Sequence, residues 1–109
     1  MEFKYEPEQI KSIYISNLPC GCIASNRIVV DGLRVGYMYR EVDCSLNFPD
    51  SGWRFFAGDE SDEYTADPNN FHIFELNTIC NYDPSIINYL EAPHGRAFIR
   101  IGAEFIEDK

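Results

Sequence analysis

The chain has 109 residues, and with 45% hydrophobic and 15% aromatic residues it is too apolar to remain disordered. A chain of this length has the usual size of one domain. Its 18 acidic and 9 basic residues give a net charge of −9, which repels phosphate backbones and anionic membranes. This charge argues against nucleic-acid and membrane binding, and it either favours a partner with a basic surface or keeps a small protein soluble.

The N-terminal residues do not have the features of a signal peptide. They lack a basic start, an apolar run and a small-residue cleavage site, and no apolar run approaches the roughly 20 residues that span a bilayer. We therefore expect a cytoplasmic protein. In that reducing compartment its four cysteines should be free thiols: Cys20, Cys22, Cys44 and Cys80.

The first predicted element is a β-hairpin over residues 23–40. Asp31-Gly32 separates two β-rich runs, and Asp-Gly is a preferred pair for a two-residue type I′ turn. Pairing Val30 with Leu33 places mostly apolar side chains on one face, as an antiparallel sheet with one covered face requires.

A third strand is expected over residues 53–57, after a turn at Asp50-Ser51-Gly52. Residues 59–67 then hold five acids and no base, which indicates a short exposed helix or loop followed by a turn at Pro68-Asn69-Asn70. Residues 71–76 alternate well enough to predict a fourth strand.

Asp83-Pro84 predicts a helix start, with the acid as N-cap and proline at the first helical position. The helix should end near Pro93. The tail alternates again as a strand, with Ala97, Ile99 and Ile101 on one face, and Gly102 permits a bend before Glu104-Phe105-Ile106. The pattern predicts a single α+β domain over residues 1–109, with an antiparallel sheet of about five to six strands and two or three short helices.

No constellation of residues predicts catalysis, a metal or a cofactor. Cys20-x-Cys22 could supply half of a zinc site, but the sequence offers no second pair of ligands. Phosphate-binding loops, zinc-protease motifs and nucleophile elbows are absent from the sequence. Two alternatives to a binding protein stay open. One is a small ligand-binding domain or enzyme with a pocket near Cys22, His72 and Asn77, and the other is a structural protein that forms homodimers through a sheet edge.

Four stretches, taken together, resemble a bacterial family of immunity proteins of polymorphic toxin systems, type thirty-three. The resemblance runs from about Gly21 to Phe98, and it implies an intracellular protein that binds and blocks a cognate toxin domain without catalytic residues. The stretches are Val35-Gly36-Tyr37-Met38-Tyr39-Arg40-Glu41, Asp50-Ser51-Gly52-Trp53-Arg54-Phe55-Phe56-Ala57-Gly58-Asp59-Glu60, Asn77-Thr78-Ile79-Cys80-Asn81-Tyr82-Asp83-Pro84 and Pro93-His94-Gly95-Arg96-Ala97-Phe98.

The candidate partner-binding surface is centred on the acidic run. Five like charges within nine residues are too costly to bury without paired bases, so we expect them to be exposed and available to a basic toxin surface. Trp53 joins the candidates because tryptophan is enriched at interface hot spots, although its alternation with Phe55 and Ala57 favours the core. The candidate residues are Asp59, Glu60, Asp62, Glu63, Asp67 and Trp53.

Overall fold

The computed structural model describes residues 2–17, 19–44 and 48–108. Its central element is a six-stranded mixed sheet. The strand order is β4-β1-β3-β2-β5-β6, with β1 and β3 parallel and every other neighbouring pair antiparallel. The α+β class is confirmed, but the expectation of a wholly antiparallel sheet was wrong. The strands are β1 (Gly21–Ser25), β2 (Tyr37–Arg40), β3 (Asp50–Phe56), β4 (Phe71–Glu75), β5 (Ala97–Ile101) and β6 (Glu104–Glu107).

Three short α-helices accompany the sheet in the described part of the chain: α1 (Asn26–Val29), α2 (Asp62–Ala66) and α3 (Leu76–Tyr82). Three 3-10 segments lie at Pro7–Gln9, Pro68–Asn70 and Pro84–Tyr89. The segments α1, α3 and Pro84–Tyr89 pack their apolar side chains against one side of the sheet, which we call the inner face. The core there includes Cys22, Ala24, Ile28, Met38, Trp53, Phe55, Ile79, Cys80, Ile86 and Phe98.

The predicted hairpin over residues 23–40 is wrong, because β1 leads into α1 and β3 lies between β1 and β2. The Ser25 hydroxyl accepts a hydrogen bond from the Arg27 N–H (3.1 Å) and caps the helix. Gly32 has φ 80°, its N–H donates to the Ile28 carbonyl (3.0 Å), and the Leu33 N–H donates to the Arg27 carbonyl (3.0 Å). Asp31-Gly32 therefore ends a helix with Gly32 in the left-handed region, as in an αL C-cap, which needs the same positive φ as a hairpin turn.

The predicted turn at Asp50-Ser51-Gly52 is instead a bulge inside β3. The register with β1 shifts between Gly21↔Asp50 and Ile23↔Arg54, and Gly52 has φ 92°. The Ser51 hydroxyl donates to the Gly21 carbonyl (2.7 Å), so the irregular backbone stays bonded to its neighbour. The turn-forming residues bend the strand without ending it.

The predicted helix start at Pro84, the strand after it and the bend at Gly102 agree with the structure. A helix begins at Pro84, of the 3-10 type, and the Asp83 carboxylate accepts from the Ser85 N–H (3.1 Å). Strands β5 and β6 pair across a bend at Gly102, whose φ is 64°. Strand β4 ends at Glu75, and α3, which the sequence analysis did not predict, begins at the next residue.

A buried ion pair fastens β5 to the helical side. Asp83 Oδ2 accepts hydrogen bonds from Arg100 Nη2 (2.6 Å) and from the Val35 N–H (3.0 Å). Arg100 Nε donates to the Val35 carbonyl (2.6 Å), and both charged side chains are almost fully buried. The carboxylate that caps the Pro84 segment therefore also neutralises the arginine of β5.

Candidate functional site

The side of the sheet opposite the helices, which we call the outer face, is apolar over most of its width. Strand register places alternate residues of all six strands there, and four isoleucines among them are 41–60% exposed. A contiguous apolar surface of this kind is typical of an interaction site. Its members are Ile23, Tyr37, Tyr39, Arg54, Phe56, Phe71, Ile73, Glu75, Ala97, Ile99, Ile101, Glu104 and Ile106.

An aromatic cluster occupies the middle of the outer face. Tyr39 stacks on Phe56 with ring centroids 6.0 Å apart, and Tyr37 lies 6.0 Å from the same ring. Phe56 meets Phe71 edge to face at 5.6 Å, and Phe71 in turn meets Tyr64 of α2 at 6.2 Å. The cluster therefore connects the sheet directly to the helix that lies within the acidic run.

A groove of about 370 Å³ lies between the aromatic cluster and the chain segment that contains Thr65 and Pro68. Ile23, Phe71 and Ile73 line the sheet side, and Thr65 and Pro68 line the helical side. The groove is open and mostly apolar, so it can accept an apolar side chain from a partner.

Arg54 lies at the floor of this groove, but it presents no free charge. Its guanidinium forms a bidentate pair with Asp50, at 2.9 Å from Nη1 to Oδ1 and 2.7 Å from Nη2 to Oδ2. Burial alone would raise the pKa of the Asp50 carboxyl, but the Arg54 guanidinium and the Gly52 N–H hold that pKa below its usual value. The pair is a neutral, structural part of the outer face.

Residues 59–67, which we call the acidic loop, border the outer face, and three of their five acids have structural partners. Asp59 pairs with Arg27, a base from outside the run, and this contact lowers the pKa of the carboxyl. Glu60 accepts from the N–H groups of Ala57 (2.8 Å) and Gly58 (2.9 Å). Asp67 accepts from the Asn69 N–H (3.0 Å).

The remaining two acids, Asp62 and Glu63, begin α2 and are exposed. Within residues 2–17, 19–44 and 48–108, neither side chain forms an ion pair or a hydrogen bond. The helix that bears them is capped by the Ser61 hydroxyl, which accepts from the Tyr64 N–H (3.1 Å). These two carboxylates are therefore held in place beside the aromatic cluster while remaining available to a cation.

Trp53 cannot contact a partner in this structure, so its place among the candidate surface residues is wrong. It lies on the inner face, is 0% exposed, and donates from Nε1 to the Leu90 carbonyl (3.0 Å). Its ring stacks with Phe55 at 6.1 Å. The alternation of β3 correctly favoured the core.

The three residues of the alternative pocket, Cys22, His72 and Asn77, do not line one common cavity: Asn77 lines an open cleft of about 670 Å³ beside Cys20, and His72 lines the groove described above. Cys22 is buried in the core, and burial raises the pKa of its thiol well above the usual value, which disfavours the reactive thiolate. His72 Nδ1 lies 2.9 Å from Asn26 Oδ1, and the Asn77 amide is hydrogen-bonded to the N-terminal segment. In the described residues no three His, Cys, Asp or Glu side chains are grouped closely enough to hold a metal ion.

The sequence analysis did not assign the aromatic residues of the outer face to a site. Tyr37 and Tyr39 alternate in β2, and Phe56 lies opposite Tyr37 in β3. Alternation alone was a usable signal that these side chains share a face. Deciding that this face is open required the strand order, because the wrong hairpin paired β2 with residues 23–30.

The comparisons with known proteins decide the family. The model of the immunity protein Imm33 domain matches residues 22–107, which extend from β1 to the end of β6. The chain belongs to the Imm33 immunity protein family. No curated protein and no solved structure matches it.

Membership of the Imm33 family confirms the resemblance found in residues 21–98. The match extends this resemblance to residue 107, the last residue of β6. An immunity protein family implies a toxin as the general kind of partner, and it favours a role without catalysis. No helix in the described residues is long and apolar enough to cross a membrane.

Proposed function

We propose that this Imm33 domain neutralises a cognate toxin domain by binding it through the outer face and the acidic loop, and thereby blocking access to the toxin's active site. The observation that carries the proposal is the continuity of the two surfaces through the contact of Tyr64 with Phe71. The mechanism is steric and electrostatic, and it requires no catalytic residue.

The apolar part of the surface supplies binding energy. Interface hot spots are enriched in aromatic residues set among contacts that exclude water, and Tyr37, Tyr39 and Phe56 form such a centre. The exposed isoleucines on both sides, Ile73 in β4 and Ile101 in β5, extend the apolar surface across the neighbouring strands.

The acidic part supplies orientation and speed. Asp62 and Glu63 have no compensating base in the described residues, so their charge is available to lysine or arginine side chains of the toxin. Complementary charge of this kind mainly raises the rate of association and suppresses wrong partners. Fast capture matters for an inhibitor that must act before the toxin does.

The test is co-expression in bacteria with the toxin domain encoded by the adjacent reading frame. The natural chain should restore growth, and a chain carrying Ile73→Ser and Ile101→Ser should not. The matched control carries Ile13→Ser and Val42→Ser, two exposed apolar residues that are not part of the outer face, and should restore growth fully. Thermal unfolding of all three proteins verifies that they fold equally well.

Three outcomes would contradict parts of the proposal. Failure of the natural chain to restore growth would exclude immunity to that toxin. Equal rescue by both variants would exclude the outer face as the binding surface. Rescue without a complex on size-exclusion chromatography of the purified proteins would exclude occlusion and favour an enzymatic alternative.

A further inference from the structure

The N-terminal segment, residues 2–17, which we call the strap, runs over the helical side of the domain and lies outside the matched family region. The Lys4 N–H donates to the Val29 carbonyl (2.6 Å), and the Tyr5 ring stacks on Tyr82 at 4.5 Å. The Phe3 ring meets Phe74 edge to face at 5.3 Å. The strap is therefore bound at several points.

Two asparagines of α3, one helical turn apart, bind the middle of the strap. Asn77 Oδ1 accepts from the N–H groups of Ile13 and Tyr14, at 2.9 Å each. Asn81 Oδ1 accepts from the Lys11 N–H (2.9 Å). Both amide nitrogens donate to the Lys11 carbonyl, at 2.9 Å from Asn77 and 2.8 Å from Asn81.

This clamp contacts only the backbone of the strap. The side chains of Lys11, Ser12 and Ile13 are exposed, so their identity does not enter the hydrogen bonds. An amide side chain both donates and accepts, which lets each asparagine imitate the edge of a strand towards an extended segment. Specificity comes instead from the aromatic side chains at positions 3, 5 and 14, of which Tyr14 packs against the core.

The strap can leave without opening the core. It contributes no strand to the sheet, and none of the fully buried core residues of the described chain belongs to it. Segments with few buried apolar contacts open at much lower cost than the whole domain. Departure of the strap would therefore leave the sheet and the fully buried core residues in place.

We propose that α3, through Asn77 and Asn81, is a binding site for an extended polypeptide segment with aromatic residues spaced as in the strap. The strap is its resident ligand, and such a segment of another chain binds there in exchange. The site lies on the opposite side of the sheet from the outer face, so it goes beyond the proposed toxin contact and does not depend on it.

The test uses the full-length chain with a protease site inserted after Asn17, folded intact and then cleaved. A fluorescent peptide with the sequence of residues 2–16 should bind to the cleaved protein and displace the strap. In the protein, Asn77→Ala with Asn81→Ala should weaken this binding about tenfold or more, since several hydrogen bonds are lost. Asn88→Ala, an exposed asparagine outside the clamp, is the control and should leave it unchanged.

The peptide itself offers a second matched pair. Ile13→Ala keeps the N–H that Asn77 binds and should preserve affinity, whereas Ile13→Pro removes that N–H and should lower affinity several-fold. The proposal would be overturned by no exchange of labelled peptide, by equal affinity of the Asn77→Ala/Asn81→Ala double variant and the Asn88→Ala control, or by equal affinity of the two variant peptides. Circular dichroism of each protein variant verifies that a lost affinity is not a lost fold.

Discussion

The inner and outer faces of the sheet carry similar kinds of residues, yet one is sealed and the other is open. On the inner face Met38, Trp53 and Phe55 are fully buried, whereas Ile73, Ile101 and Ile106 on the outer face are more than half exposed. Strand β5 reverses the simplest expectation, because its charged residue, Arg100, points inward. The comparison shows that strand alternation assigns residues to the two faces, while the positions of the helices decide which face is covered.

The largest expected effect comes from the ion pair that lets a charged residue lie on the inner face. Asp83→Ala should lower the free energy of unfolding by about 3–5 kcal/mol, because it leaves the buried Arg100 guanidinium without its partner and removes a helix cap. Urea unfolding measures the loss. Asp108→Ala, an exposed acid, should stay within about 0.5 kcal/mol, and similar losses for both would show that the pair is not structural.

A pair of isoleucines compares the two faces directly. Ile79→Ala removes a fully buried side chain of α3 and should cost about 2–5 kcal/mol, because it leaves a cavity in the core. Ile73→Ala acts on a side chain that is 59% exposed and should change stability by about 0.5 kcal/mol or less. If Ile73→Ala proved equally destabilising, the outer face would have to be covered by another part of the protein.

Much of the fold could be predicted because it depends on local patterns. Alternation predicted β4 and β5, and Asp83-Pro84 predicted a helix start, since each of these features depends on adjacent residues. The wrong predictions arose where one sequence pattern is compatible with two structures. Asp31-Gly32 suits either a hairpin or a helix end, and burial of Ile28 and Val29 in the core overrides their preference for strands.

The candidate site was predicted only in part, for a related reason. The charge of the acidic loop is visible in the sequence, but its division into partnered and free acids is not, because Arg27 reaches Asp59 from a distant element. The aromatic centre of the outer face depends on the strand order, which places β3 between β1 and β2. Non-local pairing of this kind leaves no trace in spacing.

Burial of the Cys80 thiol on the inner face should make the free energy of unfolding depend on pH in the alkaline range. Burial raises the pKa of Cys80 from 9.0 to about 12, so the folded protein keeps the thiol proton that the unfolded chain releases. Stability should therefore be fully present below pH 9 and fall by about 1.4 kcal/mol per pH unit between about pH 9 and 12 for this thiol. Urea unfolding at several pH values, with Cys80→Ala as the comparison after correction for its cost at pH 7, should show a shallower decline in the variant. Equal slopes would mean that Cys80 titrates normally when folded.

The smallest expected effect concerns the two free acids beside the open face. Asp62→Lys with Glu63→Lys should slow association with the toxin about tenfold at low ionic strength and flatten its salt dependence, because exposed charges act mainly on the encounter. Folding stability should hardly change, since neither carboxylate has a partner in the described residues.

Glu2→Lys with Glu8→Lys is the control: it makes the same change in net charge on the strap, and so separates a local effect of charge from an effect of the overall charge. Stopped-flow association at several salt concentrations measures both variants. Equal slowing would assign the effect to overall charge, and no slowing would leave the aromatic cluster as the surface that recognises the toxin.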